Sequence, residues 1–73
     1  MIEVRLFAGL RQGRQKVCRM EASSGKNVQD IMDVLNIQRN EVNILLINGF
    51  HQKPETEVKD EDIVSLFPAV GGG

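Results

Sequence analysis

The chain has 73 residues, of which 41% are hydrophobic and 26% charged, and its formal net charge is −1 at pH 7. One domain over residues 1–73 is expected, because this length is near the lower limit at which a single core holds a fold unaided. The nine basic residues are scattered along the chain. This argues against nucleic acid as the main partner, since phosphate binding needs a concentrated basic face.

Cysteine and histidine are too few for a disulfide or a metal site. The chain has one cysteine and one histidine, so no internal disulfide and no metal-ligand spacing is available. We therefore expect no metal and no bound cofactor. The N-terminus lacks a signal-type apolar region, and no uninterrupted apolar run is long enough to span a bilayer. A cytoplasmic protein that binds no membrane is expected.

Two strands are predicted at the start of the chain. Residues 2–7 alternate between apolar and polar side chains, which is typical of a strand with one buried side. Residues 8–14 contain two glycines and are predicted to form a loop. A second alternation over residues 15–21 places Cys18 and Met20 on one face. The two strands are predicted to pair as a hairpin.

The next element has a helical period. Asn27 is a good N-cap, and Asp30 is placed to favour the positive end of a helix. Apolar residues then follow at i, i+3, i+4 and i+7, namely Val28, Ile31, Met32 and Leu35. An amphipathic helix that ends near Asn36 is predicted.

Three further strands are predicted after the helix. Residues 42–47 (VNILLI) form the most continuously apolar stretch, which predicts a strand covered on both sides, or at least a central one. Asn48-Gly49 is a strong hairpin signal and precedes a short return strand over 50–53. Residues 55–62 are acidic and loop-like, with room for one helical turn. Residues 63–67 form the last strand, which gives the order β-β-α-β-β-β.

Four stretches together resemble the MoaD/ThiS family of bacterial and archaeal sulfur carriers. They are VRLFAGLR at the start, GKNVQDIMDVL in the helix, ILLINGF in the hairpin and VKDEDIVSLFPAVGGG at the end. The resemblance spans essentially the whole chain. It implies an α+β, ubiquitin-like β-grasp fold with a mixed sheet of about five strands and one main helix.

The resemblance also implies a cycle of chemistry at the C-terminus. The carboxylate of Gly73 is adenylated at the expense of ATP by a ubiquitin-activating-type enzyme. It is then converted to a thiocarboxylate that donates sulfur inside a synthase subunit, and the carrier supplies no catalytic side chain. LFAGLR and LFP resemble the small subunit of molybdopterin synthase, whereas the triple glycine is also common in thiamine-type carriers.

The physical properties of the last residues suit such a cycle. Glycine has no Cβ, so Gly71, Gly72 and Gly73 can thread a tunnel too narrow for other residues. Pro68 fixes φ and stiffens the base of this flexible arm. The alternative is a frayed end without a role, although such an end does not usually follow a final strand directly.

Two phenylalanines form the second candidate site. Alternation places Phe7 and Phe67 on the outer faces of the first and last strands, which are parallel neighbours in a β-grasp sheet. The two rings should therefore lie together near the arm, and we expect a partner interface of Phe7, Phe67, Pro68 and Val70. The alternative is that the helix or a long side chain covers the rings.

The remaining candidates are weaker. Cys18 is predicted to be a small core residue rather than a reactive thiol, and His51 a surface residue. The acidic run over residues 55–62 is predicted to be a solvated turn that could also steer the chain toward basic partners. Arg11, Arg14 and Lys53 are left without a role.

Three function classes remain open from the sequence. The first is a sulfur carrier for cofactor biosynthesis, with molybdopterin ahead of the thiamine thiazole. The second is a ubiquitin-like modifier joined to lysines through Gly73, and the third is a β-grasp interaction module with an inert tail. A conventional enzyme is not expected, because no nucleophile, base and orienting acid fall together.

Overall fold

The computed structural model describes residues 1–69, and these form a five-stranded mixed sheet with one α-helix on its inner face. The strands are β1 (Ile2–Leu6), β2 (Val17–Met20), β3 (Val42–Ile47), β4 (Phe50–His51) and β5 (Ile63–Pro68). The helix α1 spans Val28–Val34, and two 3₁₀ turns span Ala8–Arg11 and Arg39–Glu41. The predicted α+β architecture and its order β-β-α-β-β-β are confirmed.

The last strand lies at the centre of the sheet. The strand order is β2-β1-β5-β3-β4. β1 and β5 run parallel, with Leu6 beside Leu66, whereas β1–β2, β3–β5 and β3–β4 are antiparallel. The N-terminal and C-terminal strands are therefore direct neighbours, as a β-grasp sheet requires.

The core lies between the sheet and α1. From the helix, Val28, Ile31 and Met32 are fully buried, and Leu35 packs against the edge of the core. The sheet contributes the inward residues Ile2, Val4, Leu6, Leu45, Ile47, Val64 and Leu66. Cys18 and Met20 are half-buried against this cluster, which confirms the predicted packing of Cys18.

Three core residues come from segments that the sequence predicts to be polar connections. They are Leu10, Ile37 and Val58, each at most 2% exposed. Each is an apolar residue inside a short connection, so no periodicity marks it. The turn Ala8–Arg11 is ordered around Leu10, where the sequence predicts only a loop.

The sequence predicts β3 to be covered on both sides or at least central, and the second alternative is the correct one, since β3 lies between β5 and β4. Leu45 and Ile47 are buried under α1, whereas Ile44 and Leu46 on the other face are only half-buried. The pairing with β5 shifts between Val42 and Ile44, so that Val42 still packs against the core. The apolar residues of β3 therefore face two different surfaces, the core under α1 and the outer face of the sheet.

Local signals set the ends of the elements. Asn27 accepts a hydrogen bond from the Asp30 backbone N–H (2.9 Å), and the Asp30 side chain accepts one from the Asn27 N–H (3.0 Å). This capping box fixes the start of α1. Asn48 and Gly49 both have positive φ, 53° and 87°, as the predicted β3–β4 hairpin turn needs. No helix within residues 1–69 is long and apolar enough to cross a membrane.

A candidate docking surface on the outer face of the sheet

The side chains of Phe7 and Phe67 stack on the outer face of the sheet. Phe7 continues the line of β1 with an extended backbone, and its N–H donates to the Leu66 carbonyl (3.2 Å). The ring centroids are 4.2 Å apart and the ring planes differ by 10°. The predicted proximity of the two rings is confirmed, and it follows from the parallel pairing of β1 with β5.

The aromatic pair is part of a larger apolar surface. Ile44 lies opposite Phe67 and Leu46 lies opposite Ser65 across β3 and β5. We call Phe7, Ile44, Leu46 and Phe67 the outer patch; all four are half-buried. The α1 helix covers the inner face instead, so the outer patch keeps apolar surface open to a partner. Such surface is typical of protein–protein interfaces.

Arg11 borders the outer patch. Its Nε donates to the Leu6 carbonyl (2.8 Å), and its guanidinium carbon lies 5.5 Å from the centre of the Phe7 ring. This distance is within the range of a cation–π interaction. The sequence gives Arg11 no role because the 3₁₀ turn that folds it back over Phe7 is not predicted.

Charged side chains continue from the patch along β1 and β2. The Glu3 carboxylate accepts a hydrogen bond from the Nε of Arg5 (2.5 Å), and its other oxygen lies 3.6 Å from Nη2 of Arg19. The hydrogen bond from Arg5 is the main cause that lowers the pKa of Glu3, with Arg19 adding to it. Together with Arg11, three arginines and one glutamate border the outer patch on this side, so its rim is basic.

The other two predicted interface residues are Pro68, the last residue of β5, and Val70, which lies outside the described residues. Pro68 is half-buried and pairs with Val42, which packs against the core, so it lies on the face opposite to Phe67. Val70, Gly71, Gly72 and Gly73 lie outside the described residues. Their predicted roles in partner binding, tunnel threading and carboxylate chemistry stay predictions.

The remaining predictions concern His51 and the acidic run over residues 55–62. His51 is exposed, as predicted, opposite Leu46 at the edge of the sheet.

In the acidic run, Asp60 and Glu61 bind the N-terminal ammonium of Met1, with 3.1 Å to Glu61. Asp62 accepts hydrogen bonds from Asn48 Nδ2 (2.8 Å) and the Lys59 N–H (2.9 Å). Part of the acidic run therefore closes the turn before β5, and no helical turn forms there.

Small-molecule sites are poorly developed within residues 1–69. One depression of about 300 Å³ lies beside Met1, Glu21 and Asp60 and is shallow and open to solvent, whereas a more enclosed one beside Met32, Leu45 and His51 has a volume of only about 160 Å³. Ligand pockets usually measure about 300–1,000 Å³ and are deeply concave. No group of three or more His, Cys, Asp or Glu side chains in the same residues could hold a metal ion. The outer patch is therefore the best candidate site in the described structure.

Comparison with protein families gives a match over nearly the whole chain. The model of the ThiS family matches residues 4–73. This range includes the outer patch and the four C-terminal residues that lie outside the described structure. The comparison with curated proteins finds no match.

Several solved structures share the fold. A putative molybdopterin converting factor subunit 1 from Pyrococcus furiosus is 26% identical, with 94% of this chain and 97% of that chain covered and a TM-score of 0.75. SAMP1 from Haloferax volcanii is 23% identical (99% and 98% covered, TM-score 0.76). A chain in the complex of subunits 1 and 2 of the molybdopterin-converting factor from Helicobacter pylori is also 23% identical (99% and 97% covered, TM-score 0.66). The last two likenesses show the fold alone.

Proposed function

The chain belongs to the ThiS family, and from this premise we propose that it is a sulfur carrier for cofactor biosynthesis. The carboxylate of Gly73 attacks the α-phosphorus of ATP in a ubiquitin-activating-type enzyme, and pyrophosphate leaves. A sulfur donor at the oxidation level of sulfide, formally hydrosulfide, then displaces AMP from the acyl-adenylate and gives a thiocarboxylate. In a synthase subunit the thiocarboxylate sulfur attacks the acceptor, and water cleaves the remaining carbon–sulfur bond and restores the Gly73 carboxylate. The carrier contributes no catalytic side chain and acts in the cytoplasm.

The observation that carries this proposal is the position of the outer patch relative to the chain end. Phe67 is the residue before the last one of β5, and its ring is stacked on Phe7, which follows β1, at the same end of these two parallel strands. Gly73 is six residues further along the chain, so its carboxylate can reach at most about 20 Å from Phe67 at 3.3–3.6 Å per residue. A partner that binds the outer patch can therefore receive the chain end in a nearby active site.

The physical need for two separate parts supports the same proposal. A carboxylate that enters two active sites in turn must be thin and extended, whereas recognition needs a rigid surface. Stacked aromatic rings and aliphatic side chains on paired strands form such a surface, and aromatic residues including Phe are enriched in protein–protein interfaces. The basic rim of Arg5, Arg11 and Arg19 favours partners with acidic surroundings, because electrostatic complementarity mainly raises the rate of encounter.

Molybdopterin synthesis is the favoured pathway, with the thiamine thiazole next. The similarity to a putative molybdopterin converting factor subunit from Pyrococcus furiosus supports this order, as do the segments LFAGLR and LFP. The Helicobacter pylori structure is a complex of subunits 1 and 2 of the molybdopterin-converting factor, and one of its chains has the fold of this protein. By analogy, we propose a second synthase subunit as the acceptor partner of this chain.

A ubiquitin-like modifier is the second candidate function. It is favoured by the likeness to SAMP1, which is also described as small archaeal modifier protein 1. Activation by adenylation would be the same, but a lysine amine rather than sulfur would displace AMP, and an isopeptide bond would result. The third candidate, an interaction module with an inert tail, needs no activation at all.

One measurement separates these three functions. The intact mass of the protein purified from its native host would show one oxygen replaced by sulfur for a carrier. A second protein attached through Gly73 would indicate a modifier, and an unchanged mass in every growth condition an interaction module. We expect the sulfur-substituted mass, and its loss when the gene for the adenylating enzyme is deleted.

A further inference from the structure

Arg14 joins the turn beside the outer patch to the C-terminal end of α1. Its Nη1 donates to the Leu10 carbonyl (3.2 Å), its Nε to the Leu35 carbonyl (3.0 Å) and its Nη2 to the Asn36 carbonyl (2.9 Å). The side chain is half-buried. One guanidinium therefore binds three backbone oxygens from two segments that are more than twenty residues apart in sequence.

The surroundings of Arg14 suit a fixed cation. Leu35 caps α1, and Asn36 follows with a positive φ of 57°, so the Leu35 and Asn36 carbonyls lie past the last backbone hydrogen bonds of the helix, which end at the Asp33 carbonyl. The negative end of the helix dipole favours a positive charge there. Among the ion pairs of residues 1–69 none includes Arg14. Its donors are thus used on the backbone rather than on a carboxylate.

The same turn carries the residues that border the outer patch. The Arg14 N–H donates to the Arg11 carbonyl (2.9 Å), and Arg11 in turn lies over the Phe7 ring. Ala8, which begins the turn, has a positive φ of 51° that is unfavourable for an alanine. The turn must therefore be held by contacts outside its own backbone, and these include the buried Leu10, the bond from Arg11 Nε to the Leu6 carbonyl and the Arg14 guanidinium, which also ties the turn to the end of α1.

We propose that Arg14 is a positioning residue for the docking surface: by tying the turn Ala8–Arg11 to the end of α1, it fixes Arg11 and Phe7 in the conformation that a partner recognises. The proposal rests on the proposed function for the identity of that partner. Within residues 1–69 the side-chain hydrogen bonds of Arg14 go to the turn and to the helix end, and none goes to a residue of the outer patch. Its effect on binding is therefore indirect and passes through the turn.

The test compares Arg14→Gln with Asn27→Ala, a matched control. Asn27→Ala removes the cap at the opposite end of α1 and lowers stability without touching the turn. In the free chain, Arg14→Gln should shift the Phe7 and Phe67 ring proton resonances and speed amide exchange of Leu10 and Gln12 on the order of tenfold, a factor equivalent to about 1.4 kcal/mol. Exchange of the β3 amides should change no more than in the control. Arg14→Lys, which keeps the charge but not the three directed bonds, should rescue only part of the effect.

The second part of the experiment measures binding to the ubiquitin-activating-type adenylating enzyme of the same organism. Arg14→Gln should raise the Kd and the KM for the carrier on the order of tenfold and leave kcat unchanged, whereas Asn27→Ala should alter neither. Unchanged ring resonances and exchange in Arg14→Gln, or a binding loss equal to that of Asn27→Ala, would overturn the positioning role. If the unsubstituted chain binds no such enzyme, the proposed function fails, and the spectra of the free chain still decide whether Arg14 fixes the turn.

Discussion

At the scale of single residues, the stacked pair Phe7 and Phe67 has to serve both the fold and a partner. Offset or stacked rings stabilise a folded chain by about 0.5–1.5 kcal/mol beyond the area that they bury. Both rings nevertheless stay half-buried, so they can lose further surface to a partner. A residue of this kind is expected to contribute to binding as well as to folding.

Replacing Phe67 should test this balance. Phe67→Ala should weaken binding to the adenylating enzyme by about 2 kcal/mol or more, as truncation of a buried hot spot does, while stability falls by about 1–3 kcal/mol, the stacking contribution plus the partial burial of the ring. Calorimetric titration and thermal denaturation measure the two effects. Phe50→Ala is the matched control, because Phe50 is 71% exposed at the sheet edge and lies outside the outer patch. A large loss of stability with unchanged binding would make the rings part of the core.

The ion pair at the N-terminus gives a pH dependence. The Asp60 carboxylate accepts a hydrogen bond from the Met1 ammonium, and this bond lowers the pKa of Asp60 below 3.8. The same bond, and to a smaller extent the bond to Glu61, raises the pKa of the Met1 amine above 8.0. A lowered carboxyl pKa adds stability that is lost as the pH falls through it, and a raised amine pKa adds stability that is lost as the pH rises through it. The contribution should therefore be largest between about pH 4 and 8 and, at these exposed positions, small.

Asp60→Asn should remove most of this pH dependence. Thermal denaturation from pH 2 to pH 10 should show a flatter stability profile at both ends for the variant, and added salt should bring the parent closer to it. Asp33→Asn is the control, since within the described structure Asp33 bonds the neutral Gln29 side chain and pairs with no cation. Identical profiles for the parent and Asp60→Asn would contradict the assignment.

At the scale of elements, the sequence could predict what depends on period or on a specific turn residue. The alternation in β1, the 3.6-residue period of α1 with its Asn27 cap, and the Asn48-Gly49 turn each identify an element locally. The irregular features could not be predicted in this way. The shift in pairing between Val42 and Ile44 and the turn Ala8–Arg11 depend on partners that are distant in sequence.

The β3–β4 turn offers a direct test of an element boundary. Gly49 has a φ of +87°, and an added Cβ would meet no atom within 4 Å, so Gly49→Ala should be destabilising for conformational reasons alone. A left-handed conformation costs a residue with a Cβ about 1–2 kcal/mol. Gly9→Ala is the control, because that position is equally open and has no positive φ. Chemical denaturation of both variants should show a loss for Gly49→Ala only.

At the scale of the whole molecule, the topology determines which residues of the docking surface could be predicted from the sequence. Pairing of the first and last strands is a property of the β-grasp fold, so the meeting of Phe7 and Phe67 could be predicted once the fold was inferred. The outer patch differs in membership from the predicted interface, because Ile44 and Leu46 lie on the face of Phe67, whereas Pro68 lies on the opposite face. The contributions of Arg11 and Arg14 required the conformation of a turn that has no periodic signal.

The division into a recognition surface and a chemically active end predicts two separable defects. Deleting Gly73 leaves the same carboxylate on Gly72 but withdraws it by about 3.5 Å, and a misplacement of 1 Å in an active site can cost about a hundredfold. The truncated chain should therefore bind the adenylating enzyme with an unchanged Kd and support almost no ATP–pyrophosphate exchange. A bulky residue at position 72 keeps the length and should block entry to the tunnel. Phe67→Ala should show the opposite defect, with a raised KM and a normal rate at saturation.

The double variant distinguishes this division from a single mixed site. Both parts lie on one small molecule, but the chain end carries no packed side chain in this proposal, so the truncation should not alter the melting temperature. If recognition and chemistry are separate, the loss of affinity in Phe67→Ala should be the same with and without Gly73, because distant changes without shared contacts add. A binding loss that depends on Gly73 would mean that the terminal glycines themselves form part of the recognition surface. Equal exchange rates in the parent and the truncated chain would mean that the terminal carboxylate is not activated.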